Sequence, residues 1–112
     1  GEVTLPLIAD WPNRPLQKVC FDTGKPALTH WRVLARYPDR DATRLALRPV
    51  TGRTHQLRIH CRELGHPILG CDLYAPSEIL NRSDRLLLHA ERLAFNHPCT
   101  GLWREFYSPA PF

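Results

Sequence analysis

The chain has 112 residues, enough for one small domain, and 43% of them are hydrophobic, enough for a modest core. Lys and Arg number 15 against 11 Asp and Glu, a formal charge of +4 that permits a polyanionic partner without requiring one. No apolar run approaches a membrane span and no signal-peptide pattern opens the sequence. The four cysteines, Cys20, Cys61, Cys71 and Cys99, form no CxxC pair. Reduced thiols in a cytoplasmic protein fit that spacing better than a disulfide framework. With no methionine and a Gly-Glu-Val start, the chain is expected to be a piece of something longer.

In chain order, Gly1–Ala9 reads as a short edge strand interrupted by Pro6. Asp10–Pro15 (DWPNRP) is a turn-rich loop, and Lys18–Pro26 is expected to stay irregular. The Gly24-Lys25 pair is no phosphate loop, because the preceding glycine, the strand and the following helix are all missing. Ala27–Tyr37 alternates, with Thr29, Trp31, Val33, Ala35 and Tyr37 on one face and His30, Arg32 and Arg36 on the other. After a turn at Pro38–Asp41, Thr43–Val50 repeats the pattern, Leu45 and Leu47 opposing Arg44 and Arg48. Two such strands joined by a short polar loop predict an antiparallel hairpin with a basic outer face.

The hairpin leads into the stretch that organises the rest, Pro49–Tyr74. Thr51-Gly52 breaks the strand, and Thr54–Leu64 is long enough for about three helical turns. Gly65-His66-Pro67 supplies the stop, Gly just past the end and Pro shortly after. A helical wheel gathers Leu57, Cys61 and Leu64 within roughly 60°, an apolar stripe for a core. His55, Arg58 and Arg62 share the neighbouring face, with Arg53 just before the helix. Arg58 borders the stripe, so its stem can be buried while its guanidinium reaches a cleft. Ile59 falls away from the stripe and predicts a second packing surface. By itself this is the pattern of a solvated basic face. Beyond Tyr74, Ala75–Asp84 is a polar connection with room for one helical turn. Arg85–Phe95 is open between helix and buried strand on periodicity alone. Asn96–Gly101 is a turn, Leu102–Tyr107 a last strand, and Ser108–Phe112 cannot continue regular structure.

Gly52-Arg-Thr-His-Gln-Leu-Arg-Ile-His60, followed by Leu64-Gly-His-Pro-Ile-Leu-Gly70, resembles the signature of the RluA family of RNA pseudouridine synthases. The resemblance extends to DWPNRP, Gln17–Cys20, Thr23–Ala27, Leu87-Leu-His-Ala90, His97-Pro98 and Ser108–Phe112, where it is similar to the member that modifies both ribosomal and transfer RNA. It implies an α+β fold, a mixed and mostly antiparallel sheet with a packed helix, with residues 1–112 forming the C-terminal part of a catalytic domain. It also favours strand over helix for Arg85–Phe95. In the family an Asp attacks the target nucleoside, the glycosidic bond breaks, and the uracil rotates and rejoins through carbon, with no metal or cofactor. Such an enzyme flips its base out of the stack and excludes water around it.

That Asp belongs to a His-Arg-Leu-Asp block absent here, and the family's active-site Tyr belongs to a Lys-x-Tyr block that is also absent. Asp10, Asp22, Asp39, Asp41, Asp72 and Asp84 lie in other contexts, so the chain alone is expected to be inactive. Cys71 stands where the family often has Asp. The resemblance makes Arg58 the arginine that pairs with the nucleophilic Asp, a task suited to a bidentate guanidinium. It makes Leu88 the apolar residue on the base, and Arg53, His55 and Arg62 candidates for RNA contacts. Without it, Leu88 is an ordinary core leucine and Arg53 a solvated arginine. Two rivals remain. A non-catalytic RNA-binding module would share the basic helix and hairpin but would need no Asp for Arg58. A zinc domain could draw on His60, Cys61, His66, Cys71, His89, His97 and Cys99, but ligand pairs two to four residues apart are missing. His55 and His60, about 140° apart on the helix, cannot share one metal from the same face.

Overall fold

Alternating side chains and polar turns account for most of the strands. In the computed structural model, which describes residues 1–112, the elements run β1 (Glu2–Val3), β2 (Leu7–Ala9), a 3₁₀ turn (Trp11–Asn13), β3 (Gln17–Val19), β4 (Thr29–Tyr37), a second 3₁₀ turn (Pro38–Arg40), β5 (Ala42–Pro49), α1 (Gln56–Glu63), α2 (Ser77–Leu80), β6 (Arg92–Asn96) and β7 (Trp103–Tyr107). The class is α+β. The strands form three separate ladders, β1-β4-β5, β2-β3 and β6-β7, and every pairing is antiparallel, so the expected mixed sheet resolves into wholly antiparallel pieces.

The β4–β5 hairpin forms as its alternation predicts, with one correction. The register steps between Val33 and Ala35, leaving Leu34 as an extra residue: Arg32 faces Ala46, but Ala35 faces Arg44 and Arg36 faces Thr43. A bulge of one residue exchanges the faces of everything beyond it. Arg36 therefore leaves the face of His30 and Arg32, and Tyr37 joins Arg44, whose Nε donates to the Tyr37 hydroxyl at 3.3 Å. Lys18–Pro26 is not wholly irregular either. Gln17–Val19 pairs with Leu7–Ala9 around the DWPNRP turn, a hairpin hidden because Pro15 and Pro6 break the alternation on both sides.

Helix α1 ends as predicted. Gly65 takes φ +84, its N–H reaches the Arg62 carbonyl at 2.9 Å and the His66 N–H reaches that of Cys61 at 3.0 Å, the paired bonds of a Schellman cap. Its buried face is only partly the predicted stripe: Cys61 is buried, and Ile59 supplies the expected second packing surface. Gln56, Ile59, His60 and Cys61 are buried, while Leu57 and Leu64 stay partly exposed. The helix sits between two bodies, which explains the change. Ile59, fully buried, joins Leu7, Ala27, Cys71 and Tyr74 in the core. On the other flank Gln56 and His60 are covered by the start of β4, and hydrogen bonds make their burial tolerable. Gln56 Nε2 donates to Thr29 Oγ1 at 3.0 Å. His60 Nε2 lies 2.9 Å from the Leu5 carbonyl, which can only accept, so Nδ1 is left to take the Thr29 hydroxyl at 2.8 Å.

The expected strand over Arg85–Phe95 shrinks to Arg92–Asn96. Residues 85–87 instead cross closely over Gly70: a Cβ there would lie 1.9 Å from the Arg85 carbonyl oxygen, and φ is +76. The Leu87 N–H bonds the Leu69 carbonyl at 3.0 Å. The apolar run Leu86–Leu88 is thus held by a loop rather than a ladder, with Leu86 packed on the core. No helix is long and apolar enough to cross a membrane.

Candidate functional site

The Gly52–His60 motif builds its site from a clamp outward. Gln56 Oε1 accepts from the Thr51 hydroxyl at 2.7 Å and from the Arg53 N–H at 3.0 Å. Its Nε2 donates to the Leu28 carbonyl at 2.9 Å as well as to Thr29. One amide therefore satisfies four partners and ties the loop 51–55 to the end of the hairpin. The loop turns sharply into α1 at His55, which adopts φ +55, a left-handed conformation uncommon outside glycine.

That turn aims His55 at Tyr74. His55 Nδ1 lies 2.7 Å from the Tyr74 hydroxyl, the rings meet edge-on at 5.5 Å, and the Gln17 N–H of β3 donates to the same hydroxyl at 3.0 Å. Arg62, about two turns further along the helix, lays its guanidinium 5.4 Å from the Tyr74 ring centre and pairs with Glu63 at 2.9 Å. Arg58 Nη1 stands 3.9 Å from Asp72 Oδ1, its side chain 25% exposed and that of Asp72 75%. Burial, then the Arg58 charge, lowers the His55 pKa below 6.5 against an opposing pull from Asp72. Burial chiefly raises that of Tyr74, which stays a phenol at neutral pH.

His55, Arg58 and Arg62, grouped by helical geometry, are therefore brought together around Tyr74 and Asp72. Arg53 has a different setting, its Nε donating to the Pro26 carbonyl at 2.9 Å. Leu88 is partly buried, next to the residue bonded to Leu69. Tyr74, Asp72, Gln56 and Gln17 had no assigned place in the sequence pattern. Only the places of Gln56 inside the motif and of Gln17 in the block Gln17–Cys20 could have signalled any of them. Cys71 is buried at 1% exposure in the core. The histidines and cysteines considered for zinc are not gathered: no group of three His, Cys, Asp or Glu side chains is placed to hold a metal ion.

The sequence profile of the RNA pseudouridylate synthase family matches residues 1–63, which include both the hairpin and the clamp. Three relatives carry the name dual-specificity RNA pseudouridine synthase RluA. The one from Pasteurella multocida is 60% identical over all 112 residues, covering 51% of the relative. Those from Escherichia coli K12 and Vibrio cholerae are 54% and 52% identical, again over the whole chain, covering 51% and 45% of the relatives. The chain thus spans about half the length of the curated relatives it matches. A match of this extent, on the residues that form the clamp and the basic face of α1, makes this chain a member of the RNA pseudouridylate synthase family.

Proposed function

We propose that residues 1–112 form the C-terminal part of the catalytic domain of a cytoplasmic RNA pseudouridine synthase, which isomerises uridine to pseudouridine in ribosomal RNA, transfer RNA or both. Arg58 is the residue that pairs with the nucleophilic Asp, and His55, Arg62, Arg53 and Leu88 contact the RNA. The enzyme uses neither metal nor organic cofactor. The observation that carries the reading is the condition of Arg58. Its stem is largely covered, yet its guanidinium has only one loose partner, 3.9 Å away on the exposed Asp72. A buried-stem arginine without a close carboxylate is prepared to receive one. A second carboxylate at bidentate distance would be oriented and kept ionised by that fork.

Asp72 is no substitute for the nucleophile, because it faces solvent on the far side of a weak ion pair and no apolar wall excludes water from it. The chain alone should therefore form no pseudouridine. The test incubates it with unmodified ribosomal and transfer RNA and detects pseudouridine chemically. The same assay is then run on a longer protein that joins this chain to a His-Arg-Leu-Asp block. Turnover by the 112 residues alone, or none by the longer protein, would overturn the reading. Loss of turnover in the longer protein with RNA binding retained would favour the non-catalytic module instead.

A further inference from the structure

The Tyr74 hydroxyl has one proton and two lone pairs. The Gln17 N–H occupies one lone pair at 3.0 Å, and the only acceptor in reach of the proton is His55 Nδ1 at 2.7 Å. Tyr74 remains a phenol, since burial raises its pKa. The arrangement that gives the Tyr74 proton a protein acceptor is the one in which it goes to Nδ1 and Nδ1 is bare. A neutral imidazole with a bare Nδ1 carries its hydrogen on Nε2. The charged groups facing the ring are Arg58, which disfavours its protonation, and Asp72, which favours it. Arg62 lies over the tyrosine ring. No protein group bonds Nε2, and His55 is only partly buried.

We infer that Tyr74 is a positioning residue that fixes the tautomer of His55, so that a neutral ring presents Nε2–H as a donor to an RNA backbone phosphate. This rests on the RNA-binding function proposed above. Tyr74 itself touches no substrate. It acts by removing the alternative in which Nδ1 carries the hydrogen and Nε2 would turn a lone pair toward a phosphate oxygen, which repels it. The left-handed turn at His55 holds the ring against Tyr74, and β3 holds Tyr74 through Gln17. The short β2–β3 hairpin thereby acquires a part in RNA contact without touching RNA.

The experiment uses the 112-residue chain and its Tyr74→Phe variant, which keeps the ring in the core and deletes only the hydroxyl. Long-range proton–nitrogen NMR of the His55 ring reads tautomer and pKa directly. The native chain should show the Nε2–H form with a pKa below that of a free histidine; Tyr74→Phe should mix the tautomers and raise the pKa. The second readout is affinity for an RNA stem–loop with a uridine-containing loop, measured across pH. At about pH 8, where both rings are neutral, Tyr74→Phe should bind about twofold more weakly if its tautomers mix evenly, because only the Nε2–H fraction can donate. At about pH 5, where Nε2 carries a hydrogen in any case, the deficit should vanish, and the variant, with its higher pKa, should bind at least as tightly. A purely structural loss would weaken binding equally at both pH values and overturn the proposal, as would an Nδ1–H tautomer in the native chain. A native chain with the expected tautomer but no RNA affinity would overturn the proposed function instead, and the phosphate contact with it.

Discussion

Replacing Gln56 by Leu removes the clamp on which the site is built, and the structure gives the size of the effect. Four hydrogen bonds end on this buried amide. Leucine has similar volume, so the loss is polar rather than a cavity. The Leu28 carbonyl loses the side-chain donor given by Gln56 Nε2, the Arg53 N–H loses its acceptor, and the Thr51 hydroxyl loses its own. Thr29 keeps its link to His60. The Leu28 carbonyl keeps the Val50 N–H at 2.9 Å, and Thr51 and Arg53 lie near solvent, so each group loses only part of the about 1–3 kcal/mol of a stranded buried group. A net loss of about 2–3 kcal/mol is expected, a large share of the roughly 5–15 kcal/mol of a small domain. Urea unfolding should show the midpoint falling by about 1–2 M at unchanged slope. Hydrogen exchange at the Arg53 amide should speed up in step. A midpoint shift below about 0.3 M would refute the reasoning, because it would mean the amide bonds are replaced by water at no cost.

Four further outcomes follow from the structure. In a protein that joins this chain to the Asp block, Arg58→Lys should lower single-turnover rate on the order of 100-fold with little change in RNA affinity, because lysine keeps the charge but loses the fork. Arg53→Lys should be milder, and equal losses of rate and affinity at Arg58 would place the catalytic arginine elsewhere. In the chain alone, Arg58→Ala should cost no more than about 0.5 kcal/mol through its ion pair in a denaturation experiment, since that pair is long and Asp72 is exposed. RNA affinity should fall steeply with salt, by roughly 50- to 150-fold between 50 and 200 mM if Arg53, Arg62, Arg32 and Arg48 make the phosphate contacts; an affinity indifferent to salt would remove that surface. Alkylation should single out Cys20, whose pKa is lowered to about 7 by the Thr23 hydroxyl and then by the Thr23 backbone N–H, so its rate rises through neutral pH. Cys61, pushed up to about 11 by burial and then by Cys71, should react last, and faster labelling of Cys99 than of Cys20 at pH 7 would contradict this order.

Much of the local structure was legible in the residues themselves. Strict alternation announces β4 and β5, Gly65 announces the end of α1, and Gly52–His60 announces the family, because each depends on neighbours close in sequence. The helical wheel groups Arg58 and Arg62 by spacing alone, whereas His55 reaches the same site from the left-handed residue that precedes α1. What the wheel could not supply is what each face meets. Ile59 outranks Leu57 and Leu64 as core because α1 lies between the β2–β3 hairpin and β4, and the polar Gln56 and His60 are buried because partners from Leu5, Leu28 and Thr29 arrive from far along the chain. The same limit hides the Leu34 bulge, which needs the partner strand to define its register, and the loop at 85–87, which is set by the closeness of Gly70. Motif and spacing decide which side chains stand on α1. Only the tertiary structure decides that Tyr74 and Asp72 stand before them, because hydrogen bonds and ion pairs between distant segments have no period for a sequence to display.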